Sequence, residues 1–494
     1  MRLNNRLLIA PLICFFALCV AYFPESIDDA FITLRYSRNL LHGNGPVFNI
    51  GEHVEGYSNF LWMALLAVSG KAGLQMPVMM KVYGVVAGAI VTVLITHLAR
   101  KQFGQTSAVA TAFVIGTSSF FALWAVDGLE TVFYSALVTA LFALSISRNS
   151  SDWLIGLAAG AVGITRPEGV LFGCVALYFI LNDRGFKFAI RAAMPFTLLV
   201  GGYEIFRYEY FGELVSNTAL AKVHTDTSTV IRGLQYLFQF NSDSGYLILP
   251  AALAGAFINR RNRAVWLAVA FISAQALFLG VSGGDFMYGY RFVMPVFPLL
   301  AFVACSSVAI LDPRNLIKRV IILGVLVASI ATFQLAAIPP KSIGIDNLWT
   351  RRSVHFEIAE YLRERTTSAD NVALSEAGII PFALDATVYD YLGLNSPYRK
   401  VFTNEGGLDV SNALAGDPKF VIVSIAQDHT GVNRPRMAVE ASILEAPVFK
   451  ARYQAVQRFE IPRSTSYLNQ IYYKYTPDAK VIYFEVYQRT NSLP

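Results

Sequence analysis

Residues 7–23 read LLIAPLICFFALCVAYF, and residues 25–45 read ESIDDAFITLRYSRNLLHGNG. The first stretch is an apolar run behind Arg2 and Arg6, and no small-x-small cleavage site follows it, so we interpret it as a retained membrane helix. By the positive-inside rule its basic flank stays in the cytoplasm, which places the polar segment 24–57 outside as a first extracytoplasmic loop. The second stretch then forms an amphipathic helix near the membrane surface.

The composition describes a protein whose main solvent is lipid. Of the 494 residues, 55% are hydrophobic and 15% are charged, whereas ordinary soluble domains have about 25% charged residues. A soluble globular protein is therefore excluded. The 40 Lys and Arg residues outnumber the 34 Asp and Glu residues, but the excess lies in short loops rather than on one basic face, so we expect no nucleic-acid partner.

Further apolar runs follow the first helix and are candidates for membrane spans. They cover residues 78–99, 107–126, 130–146, 153–165, 169–181, 188–207, 246–258, 264–281, 291–311 and 320–337. We therefore predict a polytopic α-helical membrane protein with about eleven transmembrane helices. The run 59–68 is short for a span, so we interpret it as an interfacial or re-entrant helix.

The charges of the loops predict the orientation of these helices. The basic loops alternate along the chain with loops of the other side, so all of them fall on the cytoplasmic side, as the positive-inside rule requires. They cover residues 99–104, 183–187, 259–263 and 314–319. The remaining polar loops, including the long one at 208–245, gather on the outer side with most of the acids. We therefore divide the chain into a transmembrane domain, 1–341, and an outer domain, 342–494. The second domain has one helical pattern at 354–366 and β-rich runs at 371–376, 419–424, 453–460 and 480–489, which predicts a soluble extracytoplasmic α/β domain.

Two adjacent carboxylates, Asp28 and Asp29, open the amphipathic helix after the first span. A carboxylate pair at the membrane surface can act as a general base or hold a divalent cation. The alternative is structural, with one aspartate as the helix N-cap and the other favoured by the helix dipole. A doublet at this position favours the functional interpretation.

The residues around this doublet resemble a known family. The segment 28–62, DDAFITLRYSRNLLHGNGPVFNIGEHVEGYSNFLW, resembles the first extracytoplasmic loop of the mycobacterial terminal arabinofuranosyltransferase family, which are membrane glycosyltransferases of the GT-C class. Thinner matches continue along most of the chain in GLET (128–131), TRPEG (165–169), SNTALAK (216–222), GGDFMYGYRFVMP (283–295) and YDYLGLN (389–395).

This resemblance implies a GT-C-like enzyme of the bacterial cytoplasmic (inner) membrane, with its N-terminus in the cytoplasm and its C-terminal domain in the periplasm. Such an enzyme moves a sugar, with arabinofuranose the leading candidate, from a polyprenyl-phosphate donor to a hydroxyl of a cell-envelope glycan or surface protein. An aspartate of the first loop would be the base of this inverting reaction, and Asp28 and Asp29 are equal candidates. Some relatives use a divalent cation, so the pair is also a candidate site for Mg, Mn or Ca.

A lipid-phosphate leaving group needs positive charge at the membrane edge. Lys222 and Arg291 are the candidate cations, and Asp285 lies in the loop before Arg291. The alternative for each cation is a side chain that only extends to the membrane interface. Glu130, Arg166 and Glu168 are further candidate contacts to the donor, and each also has a structural interpretation. Arg166 and Glu168 contact substrate or form a pair that closes a kink, and Glu130 binds a sugar hydroxyl or caps the next helix.

Glu55, Tyr57 and Asn59 combine acidic, aromatic and amide groups that suit an acceptor sugar. No P-loop, GxSxG triad, HExxH helix or dinucleotide fingerprint appears in a usable context, so we expect no nucleotide cofactor. Two alternatives remain open. One is a polyprenyl-phosphate hexose or aminosugar transferase of the same fold. The other is a lipid-sugar flippase or transporter, for which a tunnel crossing to the cytoplasmic face would be the sign.

Overall fold

A computed structural model describes residues 6–24, 26–218, 227–307, 316–337, 353–396, 414, 416–462 and 472–490. The first half of the chain is helical, with α1 Arg6–Tyr22, α2 Asp28–Leu41, α3 Phe60–Lys71, α4 Met76–Phe103, α5 Gln105–Gly116, α6 Ser119–Val126, α7 Thr131–Ile146, α8 Asp152–Thr165, α9 Gly169–Arg184 and α10 Phe186–Phe211. The helices continue with α11 Thr227–Ser242, α12 Ile248–Ile258, α13 Arg263–Ser282, α14 Phe297–Ser306 and α15 Leu316–Ala337.

Within the described residues, three helices are long and apolar enough to cross a membrane alone, namely α4, α13 and α15. The pair α5 and α6 adds a fourth span if it is counted as one helix bent by 54°. Other apolar helices of the bundle, such as α1, α7 and α8, have only 10–17 residues in their apolar part. The bundle is that of a multi-pass membrane protein, and the predicted count of about eleven spans stays a prediction.

Three segments differ from the sequence-based expectations. The run 107–126 is interrupted between α5 and α6, where the Ser118 hydroxyl accepts a hydrogen bond from the Phe121 amide at 3.2 Å and so caps the new helix. The run 291–311 is helical only over Phe297–Ser306 in its described part. The expected outer loop 208–245 contains the amphipathic helix α11. A membrane helix is apolar on all faces, so its hydrophobic pattern does not show where the helix is interrupted.

The C-terminal part is a mixed α/β unit. Its six-stranded sheet has the order β2-β1-β3-β6-β5, with β4 paired to β3, for strands β1 Asn371–Leu374, β2 Thr387–Asp390, β3 Phe420–Asp428, β4 Asn433–Pro435, β5 Tyr453–Glu460 and β6 Ala479–Arg489. The pairs β1–β2 and β1–β3 are parallel, and β3–β6 and β5–β6 are antiparallel. The helices of this part are α16 Val354–Arg363, α17 Ile379–Ala383, α18 Ala438–Glu445 and α19 Pro447–Arg452.

Helix α2 lies between the bundle and this α/β unit. Ile27 precedes it as N-cap without a side-chain capping bond, so neither aspartate of the doublet is the N-cap. Phe31 packs edge-on against Phe356 of α16 and Phe382 of α17, with ring centroids 5.8 and 5.6 Å away. Consecutive residues of an α-helix project about 100° apart, so α2 presents different side chains to the bundle and to the α/β unit.

Candidate active site

The described residues line an open cavity of about 630 Å³, within the range of roughly 300–1,000 Å³ that is usual for small-molecule sites. It lies where the loops of the bundle meet α2 and the α/β unit. Its polar and charged lining side chains are Asp29, Thr33, Tyr57, Ser58, Asn59, Glu130, Arg166, Glu168, Thr218, Arg232, Ser282, Asp285 and Arg291. Its apolar wall includes Ile32, Leu129, Phe278, Phe286, Phe292 and Leu394. Most of the residues proposed from sequence as donor contacts are thus brought together.

Arg166 is the centre of a buried ionic network in the cavity wall. Its Nη1 donates to Glu130 Oε1, and its Nε donates to Glu168 Oε1 at 2.5 Å. Asn59 Nδ2 donates to the other oxygen of Glu130 at 2.6 Å, and Thr33 Oγ1 lies 3.1 Å from the same amide nitrogen. An ion pair between Arg166 and Glu168 was one of the two interpretations of these residues from the sequence. This pair forms, and it lies in the wall of the cavity.

A second ion pair joins Arg291 and Asp285, with Nε and Oδ2 at 2.8 Å. The ring of Phe292 lies close to both buried guanidinium groups. Its centroid is 5.1 Å from Arg166 Cζ and 4.9 Å from Arg291 Cζ, which is within the reach of cation–π attraction. Both arginines therefore contact an aromatic ring as well as a carboxylate in the wall of the cavity.

Asp29 differs from the other acids of the cavity. The carboxylates of Glu130, Glu168 and Asp285 are each paired with an arginine. Across the described part of the chain, no hydrogen bond or ion pair engages the Asp29 side chain, which lines the cavity and is half-buried. Among the described residues, Asp29 is therefore the cavity carboxylate whose oxygens have no partner, and it has the access that a general base needs.

Arg232 is a cavity residue that sequence reasoning missed. It lies on α11 and donates to Ser228 Oγ at 2.9 Å and to Thr229 Oγ1 at 2.7 Å. Unlike Arg166 and Arg291, it forms no ion pair with any of the described carboxylates, so its charge is not neutralised within that part of the protein. The amphipathic pattern of residues 227–242 is the signal that could have identified this helix and its arginine.

Asp28 points away from the cavity. Its Oδ2 accepts a hydrogen bond from the Gly378 amide and its Oδ1 accepts one from the Ile379 amide, each at 2.8 Å. The side chain is buried, and burial raises the pKa of Asp28 to about 7, although the nearby His355 acts in the opposite direction. Both oxygens are thus used by the backbone of the α/β unit. This geometry does not support Asp28 as the base.

A metal ion shared by Asp28 and Asp29 does not fit this arrangement either. The two side chains leave α2 in different directions, and both Asp28 oxygens face N–H donors, which repel a cation. Among the described residues, no group of three or more His, Cys, Asp and Glu side chains has the placement needed to hold a metal ion.

The candidate acceptor residues divide between two places. Tyr57 and Asn59 line the cavity. Glu55 does not; it is buried beside it, 2.8 Å from Arg207 Nε, and accepts a hydrogen bond from the Tyr203 hydroxyl at 2.6 Å. Burial raises the pKa of Glu55, and Arg207 opposes this shift. Glu55 therefore anchors the loop that carries Tyr57 and Asn59. Lys222, the second candidate cation, lies outside the described residues.

Comparison with known protein structures identifies the fold. ArnT from Cupriavidus metallidurans, solved with bound undecaprenyl phosphate, superposes with a TM-score of 0.59 and 13% identity, covering 85% of this chain and 93% of that chain. An oligosaccharyltransferase from Archaeoglobus fulgidus superposes with a TM-score of 0.55 and 11% identity, covering 98% of this chain and 88% of that chain. The chain has the GT-C fold.

Sequence comparisons agree with the resemblance noted above. The terminal β-(1→2)-arabinofuranosyltransferase of Mycobacterium tuberculosis is 29% identical over 335 residues, which is 58% of this chain and 53% of that protein. Its counterpart of the same name in Corynebacterium glutamicum is 27% identical over 361 residues, or 62% of this chain and 52% of that protein. The chain thus spans about half the length of the curated relatives it matches. A family model described as a domain of unknown function, DUF8728, matches residues 346–480 in the α/β unit.

Proposed function

We propose that this protein is a membrane glycosyltransferase that moves a sugar from a polyprenyl-phosphate donor to an acceptor hydroxyl, with Asp29 as the base. Asp29 removes the proton of the acceptor hydroxyl, the oxygen of that hydroxyl bonds to the anomeric carbon, and the bond from this carbon to the phosphate oxygen breaks. The phosphate leaves with the electron pair, and the anomeric configuration inverts.

One observation carries this proposal: Asp29 is the cavity carboxylate without a partner among the described residues. It is also the second residue of the segment 28–62, which resembles the first loop of the arabinofuranosyltransferases. The fold shared with ArnT, which binds undecaprenyl phosphate, supports a lipid-phosphate donor. The cavity is bounded by apolar side chains as well as ionic ones, which suits a ligand with a charged head and a lipid tail.

The donor sugar is most directly tested with purified protein and a panel of polyprenyl-phospho-sugars that includes arabinofuranose, hexose and aminosugar donors. We expect consumption of the arabinofuranose donor, because both curated relatives carry that activity in their names. The acceptor we propose is a cell-envelope glycan or a surface protein on the outer face of the inner membrane. Consumption of only a hexose or aminosugar donor would keep the reaction and replace the sugar.

Arg232 supplies the positive charge for the donor phosphate in this proposal. Arg166 and Arg291 are already neutralised by acids, whereas the guanidinium of Arg232 contacts only hydroxyl groups among the described residues. Charge-assisted hydrogen bonds contribute about 1.5–3 kcal/mol, so we expect Arg232→Gln to lower kcat/KM for the donor by about 10- to 100-fold. Steady-state kinetics with varied donor measures this effect.

Arg365 provides the matched control, because it is an exposed arginine of the α/β unit whose pairing with Glu364 is also exposed. Arg365→Gln should leave kcat/KM for the donor unchanged, and Arg232→Lys should retain part of it, since the charge is kept without the planar fork. Equal kinetics for Arg232→Gln and Arg365→Gln would show that Arg232 does not bind the phosphate.

Dependence on a divalent cation is tested by chelation. We expect sugar transfer to keep its rate in excess EDTA, because three of the four acids lining the cavity are committed to arginines and Asp28 to backbone amides. Loss of transfer in EDTA that is restored by Mg, Mn or Ca would contradict this expectation and assign a cation to Asp29.

A flippase or transporter is the alternative from another functional class. The described ionisable groups of the cavity converge where helix ends meet the α/β unit, rather than at the middle of the long spans, and this favours catalysis. Movement of a labelled polyprenyl-phospho-sugar across a proteoliposome membrane, without transfer to any acceptor, would favour transport instead.

A further inference from the structure

The face of α2 opposite the cavity is bound to the backbone of the α/β unit by three charged side chains. Asp28 accepts the two amide bonds from Gly378 and Ile379 described above. Further along the helix, Arg38 donates to Phe382 O at 2.8 Å and to Leu384 O at 2.9 Å. Arg35 donates to the carbonyls of Pro381, Leu384 and Ala386.

These contacts match the polarity of the short helix α17. The carboxylate meets the N–H groups at the start of α17, and the two guanidinium groups meet carbonyls of its last turn and of the residues just after it. Because Asp28, Phe31, Arg35 and Arg38 are spaced by three or four residues, they form one stripe along α2. Asp29, Ile32 and Thr33, which line the cavity, lie on another face.

The two elements are also in direct backbone contact. A Cβ atom placed on Gly378 would lie 1.8 Å from the main-chain oxygen of Asp28, so only glycine allows this approach. Gly378 therefore sets how closely the start of α2 approaches the α/β unit, and the two amide bonds to the Asp28 side chain set the orientation of the first turn of α2. Asp29 is the next residue of the chain, and its position depends on the same contact.

We propose that Asp28 is a positioning residue, which anchors the first turn of α2 to the Gly378–Ile379 backbone and thereby directs the Asp29 carboxylate into the cavity. The α/β unit is then a structural part of the active site, although Leu394 is the residue it contributes to the described cavity lining. This inference rests on the proposed function, because it assigns Asp29 as the base that is positioned.

The first test compares the kinetics of Asp28→Asn and Gly378→Ala with those of the wild type. Asparagine offers one acceptor oxygen and turns its own NH₂ group toward the second amide, and alanine at 378 pushes the two backbones apart. Since a shift of about 1 Å in a catalytic group can cost about 100-fold in rate, we expect kcat to fall by about 10- to 100-fold in each variant. The donor KM should change by less than about twofold, because phosphate contacts are unaffected.

The double variant separates positioning from general loss of stability. Asp28→Asn and Gly378→Ala break the same contact, so their combination should lower kcat no further than the more damaging single change. Asp28→Glu keeps both acceptor oxygens at a different reach and should retain a kcat between those of the wild type and Asp28→Asn. Asp385→Asn is the matched control. The Asp385 carboxylate is 84% exposed and pairs with Arg38 only at 3.7 Å, and such a surface pair contributes little, so this variant should behave as the wild type.

A second readout does not depend on sugar transfer. In an Asp29→Cys background, peptide-resolved labelling of the thiol by a water-soluble maleimide reports where residue 29 points. Adding Asp28→Asn should change the labelling rate by at least threefold, and adding Asp385→Asn should not. If the wild type transfers no sugar, the proposed function fails while this labelling still tests the anchor.

Two results would overturn the inference. One is unchanged labelling together with a wild-type kcat in Asp28→Asn and in Gly378→Ala. The other is a loss of kcat in Asp28→Asn as large as that in Asp29→Asn, while Gly378→Ala stays active, since Asp28 would then take part in the reaction itself.

Discussion

Replacing Asp29 by asparagine should reduce kcat for sugar transfer by about 10²- to 10⁴-fold, which is the usual contribution of a general base. The amide has nearly the same shape as the carboxylate but cannot accept the proton of the acceptor hydroxyl. This change breaks no bond to the described residues, because none of them pairs with Asp29, and the protein should fold and insert as the wild type does. Single-turnover transfer from a saturating donor measures the chemical step.

Asp385→Asn is the control for this experiment, since it makes the same chemical change at an exposed carboxylate. The Asp29→Asn protein should also bind polyprenyl phosphate with the affinity of the wild type, because the phosphate contacts lie elsewhere in the cavity. Transfer by Asp29→Asn at the wild-type rate would remove Asp29 from the reaction.

Removing Arg166 should have the largest effect on stability. Arg166 is 8% exposed, and its guanidinium neutralises Glu130 and Glu168, which are 2% and 5% exposed. Arg166→Met leaves two buried carboxylates without a counter-charge, and breaking a buried ion pair in this way costs about 3–5 kcal/mol. We expect the free energy of unfolding to fall by this amount in a denaturant titration of the purified protein in mixed micelles.

A triple variant tests whether the uncompensated charge is the cause. Glu130→Gln and Glu168→Gln added to Arg166→Met remove both negative charges and should restore most of the lost stability. Arg365→Gln, at an exposed pair, should leave the unfolding free energy within about 0.5 kcal/mol of the wild type. Equal stability of Arg166→Met and the triple variant would show that packing, rather than charge, accounts for the loss.

Much of the fold follows from local patterns. The apolar runs predict most helices of the bundle, and the runs at 371–376, 419–424, 453–460 and 480–489 overlap the strands β1, β3, β5 and β6. The strands β2 and β4 were not predicted; β4 has only three residues and ends at Pro435, and proline is unfavourable in strands. The bend after Gly116 was missed for a different reason: both halves of the run are uniformly apolar.

The site was predictable as a set of residues but not as a geometry. The motifs brought Asp29, Glu130, Arg166 and Asp285 into the candidate list, and these four line one cavity. The sequence could not show which of Asp28 and Asp29 is the better candidate base, because the backbone partner of Asp28, Gly378, lies 350 residues further along the chain. The helical spacing does separate the two aspartates onto different faces, but which face meets the α/β unit depends on tertiary packing.

The central claim is that Asp29 and Arg232 act on opposite ends of one sugar–phosphate bond in this cavity. A structure of the protein with a non-transferable polyprenyl-phosphonate sugar tests it most directly. We predict the phosphonate oxygens within hydrogen-bond distance of the Arg232 guanidinium, and the face of the anomeric carbon opposite the phosphonate turned toward Asp29. A ligand bound outside this cavity, or with its phosphonate beside Asp29 and away from Arg232, would contradict the claim.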